Sequence, residues 1–174
     1  TPVKLEIYRG DSFQVVVDKP EYALAIAIAL RAKLKAETPD GQKLWDARLA
    51  VGVGDISFEN DNIVTSDGEA FRLSGHSFDH IGKKRLSIST PWPDFNTNIE
   101  LVTRFADDLI TSWTAKQARV VYQSMLFPKL QKDLAEELDM TRQNFNYHWS
   151  SARGQLILDY IEYFKSLISK YIRL

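Results

Sequence analysis

WTAKQARVVYQSMLFPKLQKDLAEELDMTRQNFNYHWSSAR, Trp113 to Arg153, carries the caps, turn and apolar spacing that organise the second half of the chain. Thr114 is placed to cap a first helix with an apolar face of Ala118, Val121, Tyr122 and Met125, and Pro128 ends that helix. Gln131 to Leu138 predicts a short second helix with Leu134, Ala135 and Leu138 inward. Asp139-Met140 makes a tight turn, and Thr141 caps a third helix with Phe145, His148 or Trp149, and Ala152 inward. Two helices crossing steeply need a small residue where their backbones meet, and Ala135 stands there. Leu138 and Met140 supply apolar contacts before and after the turn. Once Phe145 anchors one stripe of the third helix, its other faces are free, and they offer Arg142, Gln143, Asn144, Asn146 and Tyr147. Arg pairs with guanine edges and Asn or Gln with adenine edges in the major groove, and the N-terminal part of such a helix is what reaches them. With Thr141 at its start and Arg153 at its end, these residues are the set expected to touch double-stranded DNA.

The segment resembles the helix-turn-helix of sigma-factor region four and of LuxR-type regulators. The resemblance is carried by Ala135, by Met140-Thr141, and by Phe145 followed by His148-Trp149. Asp139 stands where many such motifs have Gly, and Asp tolerates the left-handed conformation better than most residues, so the turn survives. The competing reading is a helical hairpin that only packs.

Charge supports looking for a nucleic-acid partner in this half. Residues 1–111 carry 13 basic and 17 acidic side chains, whereas residues 112–174 carry 9 basic and 6 acidic ones, so a net charge of −1 conceals a balance of −4 against +3. The excess is small, and phosphate contacts from one copy give modest affinity. With 174 residues, 44% hydrophobic and 26% charged, the chain suits one domain or two small ones. No run approaches 18 consecutive apolar residues, which excludes a membrane-spanning helix. The absence of cysteine excludes a disulfide framework and a cysteine zinc site and is compatible with the reducing cytoplasm, the expected location. His76 and His80, four apart on a predicted helix, are a weak zinc pair, and His148 lies far from both in sequence. No basic-then-apolar leader follows Thr1 and there is no initiator Met, from which the expectation is that residues are missing upstream.

The first half alternates strands and helices. Leu5 to Arg9 and Phe13 to Val17 read as a hairpin turning at Gly10-Asp11-Ser12. Asp18 and Pro20 open a helix on which Tyr22, Ala25, Ile26, Ala29, Leu30, Lys33 and Leu34 follow helical spacing, and Thr38-Pro39-Asp40-Gly41 is a turn. Ala47 to Val53 predicts a central strand, and Asp55 to Asn62 a polar loop. Ser66 with Glu69 forms a capping box for a helix running to about Ile81. Arg85 to Thr90 is a further strand, and Pro91-Trp92-Pro93-Asp94 closes the unit, giving an α+β arrangement with helices on one sheet face. From Asn98 the pattern is helical to the end, with Leu101, Phe105, Leu109 and Trp113 on one stripe of a connecting helix. From Ile157, apolar residues at Ile157, Tyr160, Phe164, Leu167, Tyr171 and Leu174 step by 3 and 4, the seam of a coiled coil, from which a homodimer is expected.

RGDSFQ (Arg9 to Gln14), ARLAVGVGDI (Ala47 to Ile56) and SDGEAFRLSGHSFD (Ser66 to Asp79), followed by the helix-turn-helix, resemble the SatD family of bacterial proteins across nearly the whole chain. That family looks like a class III nucleotide cyclase or GGDEF-type domain fused to a helix-turn-helix. The resemblance implies that RGDSFQ is the hairpin that in cyclases carries a metal-binding carboxylate, here Asp11, with the partner carboxylate on a first strand that this chain lacks. Active cyclases resemble G-x-x-V-N-x-A-x-R on the following helix. Their Asn and Arg positions fall on Arg72 and His76, so the pattern is broken, and Asp11 as an ordinary turn residue is the simpler alternative.

The expectations are therefore an α+β, truncated ferredoxin-like (nucleotide-cyclase-like) domain over residues 1–97, lacking its first strand, and a linker helix over 98–112. A helix-turn-helix over 113–153 and an amphipathic helix over 154–174 follow. They describe a DNA-binding transcriptional regulator with a degenerate cyclase-like domain and no cofactor in this chain, Mg²⁺ and a nucleotide belonging to a full-length form. The alternatives are a metal-dependent nucleotide-binding or nucleotide-processing protein and a purely structural interaction protein.

Overall fold

The computed structural model describes residues 3–8, 10–59, 62–127 and 129–172. Strands β1 (Val3–Tyr8) and β2 (Ser12–Val17) form the antiparallel hairpin, with Leu5 opposite Val15 and Ile7 opposite Phe13. Its turn places Gly10 at φ 76°, in the left-handed region that glycine enters without a Cβ clash. A single 3₁₀ turn, Pro20–Tyr22, leads into α1 (Ala23–Ala36). Strand β3 (Leu49–Gly52) follows, then a hairpin of β4 (Ser57–Glu59) and β5 (Asn62–Asp67), helix α2 (Glu69–Asp79) and β6 (Leu86–Ser89). The remainder is helical: α3 (Pro93–Ser112), α4 (Ala115–Leu126), α5 (Gln131–Glu137), α6 (Arg142–Ser151) and α7 (Gly154–Ile172). The chain is thus mixed α+β, its strands paired two by two: β1 with β2, β4 with β5, and β3 in parallel with β6. No helix among the described residues is long and apolar enough to cross a membrane.

Several sequence expectations are corrected. β3 is not central: among the described residues it pairs with β6 alone. The predicted polar loop contains β4, whose pairing with β5 brings Ser57 opposite Asp67. Ser66 lies inside β5 rather than at a cap, and α2 starts after Gly68, which has φ 148° and no side-chain cap bond. A Cβ at Gly68 would lie 2.5 Å from the Asp55 carbonyl oxygen, so the chain crosses itself there too closely for any larger residue. At Gly52 a Cβ would lie 2.1 Å from the Ala70 carbonyl oxygen. The glycine of β3 is therefore accounted for by the close approach of α2.

The helix expected to be a linker is the spine of the molecule. α3 begins at Pro93, whose fixed φ suits a first turn. It buries Phe95, Ile99, Thr103, Ala106, Asp107 and Ile110, whereas Leu101 and Phe105, expected on its working stripe, are exposed. A single hydrophobic cluster runs from α1 and the β3/β6 pair through α3 to α4 and α7, with no break between the α+β half and the helical half. The α7 seam expected to hold a second chain is occupied within this one: Ile157, Tyr160, Phe164 and Leu167 are all buried in that cluster. Phe95 meets Phe164 edge-on at 5.9 Å, and the Tyr160 hydroxyl bonds Thr103 Oγ1 at 2.7 Å. Leu174, the last residue of that seam, lies outside the described residues, as does Pro128.

α1 also differs from its expected facing. Its most buried positions are Leu24, Ala27, Ile28, Arg31, Ala32, Lys35 and Ala36, not the stripe through Ile26, Leu30 and Leu34. Arg31 has 0% exposure and is held in a polar knot. Its Nε and Nη2 donate to the two carboxylate oxygens of Asp46, both at 2.9 Å, while Nη1 donates to Asp107 Oδ1 at 2.6 Å. The other Asp107 oxygen accepts from the Arg85 backbone N–H at 2.8 Å, and Lys35 Nζ donates to the Thr111 carbonyl at 3.0 Å. Burial alone would raise the Asp46 carboxyl, but hydrogen bonding and charge from Arg31, with Lys35 nearby, hold it below the usual carboxylate range. A carboxylate with a depressed folded-state pKa contributes stability above its unfolded pKa, about 3.9, and loses it as pH falls through the folded value. Asp46→Asn leaves a buried guanidinium short of its bidentate partner and should cost about 3–5 kcal/mol at pH 7. In urea unfolding the gap between wild type and variant should narrow as pH drops below about 4. A gap that stays constant with pH would show that ionised Asp46 is not the source.

Candidate nucleic-acid interface

The α4–α6 unit is assembled around a second, smaller cluster of Val120, Leu134, Ala135 and Phe145, with Leu138, Met140 and Trp149 against it. Thr114 caps α4 through a reciprocal box: its Oγ1 accepts from the Gln117 N–H at 3.3 Å and its own N–H donates to Gln117 Oε1 at 2.8 Å. Val120 is fully buried and was absent from the expected α4 face. It lies two residues from Ala118 and next to Val121, so α4 is apolar on two sides, one toward α1 and one toward α6. Arg119 extends toward α1 and donates to the Ala36 carbonyl at 3.1 Å, where that helix ends.

The connection from α5 to α6 is a Schellman turn. Asp139, at φ 53°, donates its N–H to the Glu136 carbonyl at 3.1 Å, and Met140 donates to the Ala135 carbonyl at 2.9 Å. These bonds satisfy the last carbonyls of α5 and fix the exit direction of the chain. Thr141 then caps α6, its Oγ1 accepting from the Asn144 N–H at 3.1 Å. The far end of α6 closes in a related way: Arg153 has φ 56° and donates its N–H to the Ser150 carbonyl at 3.0 Å. The indole of Trp113, at the end of α3, donates to the Ala152 carbonyl at 2.9 Å and ties this corner to the spine.

Phe145 is fully buried, and Thr141, Arg142, Gln143, Asn144, Tyr147 and Ser150 are exposed. Helical spacing puts Gln143, Tyr147 and Ser150 along the middle of the open face, with Asn144 and Ser151 on one side. Ser150 was not among the expected contacts, although its i+7 spacing from Gln143 identifies it. Asn146 departs from expectation: it is half-buried and its Oδ1 is enclosed without a hydrogen-bond partner. It lies on the border of the face rather than in it. Arg153 is exposed but eleven positions beyond Arg142, about 16 Å along the helix axis, so the two cations serve opposite ends of α6. His148 is pushed below its ordinary pKa by burial, and secondarily by the positive charge of Lys116, so it is neutral at pH 7 and adds no charge to the surface. From Arg142 to Ser151 there is no acidic residue, whereas Asp133, Glu136, Glu137 and Asp139 all lie on α5 and the turn. Two of those acids are paired, Glu137 with Lys129 and Glu136 with Lys132 at 3.9 Å.

The metal expectations gain nothing from the geometry. Asp11 is exposed in the hairpin turn at the rim of a cleft of about 1090 Å³. Among the described residues no group of three or more His, Asp or Glu side chains is arranged to hold a metal ion. The rings of His76 and His80 stack at 4.4 Å, and His80 Nδ1 lies 2.8 Å from the His76 carbonyl, which makes that nitrogen a donor rather than a ligand. Arg72, where the cyclase pattern is broken, is exposed on α2. Comparison with protein-family models, curated proteins and solved structures finds nothing that matches this chain.

Two backbone features of the unit are open to test. Replacing Asp139 by Gly removes the residual cost of a side chain at positive φ and should stabilise the protein by up to about 1 kcal/mol. Gly154→Ala should destabilise it by about 1–3 kcal/mol, because a Cβ there would lie 2.3 Å from the Trp149 ring. Thermal unfolding of both variants checks the pair, and equal shifts in the same direction would count against the turn geometry.

Proposed function

We propose that the chain is a DNA-binding transcriptional regulator in which α4, α5 and α6 form a helix-turn-helix and α6 is the recognition helix. The observation that carries this reading is the open face of α6. It presents uncharged hydrogen-bonding side chains (Gln143, Asn144, Ser150) with one large aromatic, Tyr147, and an exposed Arg142 at its start, free of acidic residues along its length. Such a face suits the edges of bases in the major groove, where Gln and Asn pair with adenine and Arg with guanine. A helix that only packed would not need this composition. The Schellman turn and the Thr141 cap hold the start of α6 in one orientation, as readout of bases requires.

In this reading the first half is a scaffold of the truncated ferredoxin-like kind suggested by the likeness to the SatD family. The hairpin, α1 and β3 succeed one another in the order that such a fold requires, while the parallel β3–β6 pair is an addition to it. The regulator needs neither a metal nor a nucleotide for DNA binding, and its setting is the cytoplasm.

Recovery of genomic DNA bound to the protein would supply a site. On that site Gln143→Ala and Arg142→Ala should each cost about 1–3 kcal/mol, a loss of roughly 5- to 150-fold in affinity, without loss of fold. Asn146→Ala should cost less, because its carbonyl oxygen is turned inward. With Lys116 and Arg153 on phosphates, log affinity should fall with log salt at a slope of about −1.8 per copy. Fluorescence anisotropy titrations measure all of these. Unchanged affinity in both Gln143→Ala and Arg142→Ala would remove α6 from the interface.

A further inference from the structure

α3 and α7 lie side by side and run antiparallel. Phe95 packs on Phe164, Thr103 bonds the Tyr160 hydroxyl and the Trp113 indole bonds the Ala152 carbonyl, so numbers rise along one helix as they fall along the other. At about 100° per residue, the side that each helix turns outward follows from these contacts. Going round α3 from Asp107, which meets Arg31 of α1, one passes Thr103 and Phe95, which meet α7, and then reaches Val102, Phe105 and Leu101. Going round α7 in the same sense from Lys165, which meets Tyr22, one passes Ile161, Ile157 and Tyr160, the last against α3, and then reaches Leu156 and Tyr163. Because the helices are antiparallel, the two series turn in opposite senses in space. Both therefore end on one side of the pair, the side away from the main core.

That side is apolar and open. Phe105 is 65% exposed, Leu101 57% and Leu156 56%, and Val102 and Tyr163 are exposed beside them. Together they present an apolar area on the order of 500 Å², at the upper end of what a monomer leaves bare. Such a face laid on an identical one removes on the order of 1,000 Å² from water, the size at which a specific interface begins. It is distinct from the α7 seam through Ile157 and Phe164, which is buried within the chain.

Charge identifies the occupant. Arg104 and Asp108 border the face beside Leu101, both are exposed, and among the described residues neither has an ion-pair partner. We propose that the face binds the same face of a second copy of this chain, with α3 antiparallel to α3 about a two-fold axis at Phe105. In that arrangement Phe105 meets its counterpart, and Leu101 meets Leu109 of the other copy. Arg104 lies one residue before the two-fold axis and Asp108 three beyond it. The antiparallel copy therefore brings its Asp108 to within about 3 Å of Arg104 along the helix direction, on the same margin, and the symmetry makes the pair twice. A basic residue followed by an acidic one four positions later is thus self-complementary here. The inference does not rest on the DNA-binding reading.

Sedimentation equilibrium of residues 1–174 tests it. The unmodified chain should be a dimer at tens of micromolar. Phe105→Glu, at an exposed position, should weaken association by roughly 30-fold or more with the circular dichroism spectrum unchanged. Arg104→Asp and Asp108→Arg each set like charges together twice across the two-fold axis, and each should weaken association by about 10-fold, more at low salt. The two reversals combined should restore it to within about 3-fold of wild type. The same reversals made in monomeric Phe105→Glu should barely alter its melting temperature, which separates pairing across the two-fold axis from pairing along α3. A monomer at hundreds of micromolar would overturn the proposal, as would a dimer that Phe105→Glu leaves intact. Failure of the combined reversals to recover association would overturn the antiparallel pairing of α3.

Discussion

The guanidinium of Arg31 is the point on which the rest of the structure hangs. It projects from α1, grips the loop before β3 through Asp46, and reaches the spine helix through Asp107 and Thr111. Asp107 in turn holds the backbone N–H at the entrance to β6. Four elements distant in sequence thus converge on one fully buried cation. Its charge would be prohibitively costly in an apolar core, and it is tolerable because all three of its nitrogen groups find oxygen acceptors in good geometry. Lys35, one turn along α1, is lowered in pKa by burial and opposed by Asp46, so the knot holds a second cation on the same carboxylate. Such a cluster adds less net stability than apolar packing of the same volume would. What it adds is a single permitted alignment, since neither α1 nor α3 can slide by a turn without stranding a charge.

That alignment passes to the helical half. α1 carries α4 along its length, with Arg119 on the terminal carbonyl of α1 and Lys33 over the Tyr122 ring at 5.2 Å. α4 in turn supports α6 through Val120 and Phe145. From the spine side, Trp113 fixes the end of α6 by its bond to Ala152. The open face of α6 is therefore presented by supports on two sides, both traceable to helices that meet at Arg31. The face is held in place for this reason, as the proposed readout of base edges requires.

The sequence disclosed local features well and choices of partner poorly. The hairpin at Gly10, the Thr114 and Thr141 caps and the left-handed turn at Asp139 were legible because each depends on the chemistry of a few adjacent residues. The seam of α7 was legible as apolar, but a 3-and-4 spacing does not say whose surface will cover it, and here α3 and the turn before α1 do. On α3 the stripe through Leu101 and Phe105 looked the better one because it is wholly apolar. The buried face instead includes Thr103 and Asp107, whose partners lie 57 and 76 residues away. On α1, the stripe read from helical spacing leaves out Arg31 and Lys35. No pattern within one helix reveals a counter-ion supplied by Asp46 and Asp107. Asn146 was misplaced for a related reason, since its spacing from Phe145 puts it at the edge of the buried sector, where a neighbouring helix decides its exposure.

α1 has three distinct uses. One side enters the main core, one supports α4, and the stripe of Ile26, Leu30 and Leu34 forms a wall of the cleft. A fourteen-residue helix that is apolar nearly all the way round is the form expected of an element buried on every side. The same helix borders the cleft and carries the α4–α6 unit, so the two share one support. The path is short and contiguous, from Leu30 through the body of α1 to Arg119 at the Ala36 carbonyl. It runs along a single helix and ends in one hydrogen bond. The first half of the chain therefore does more than accompany the helical half: it sets the position from which α6 is presented.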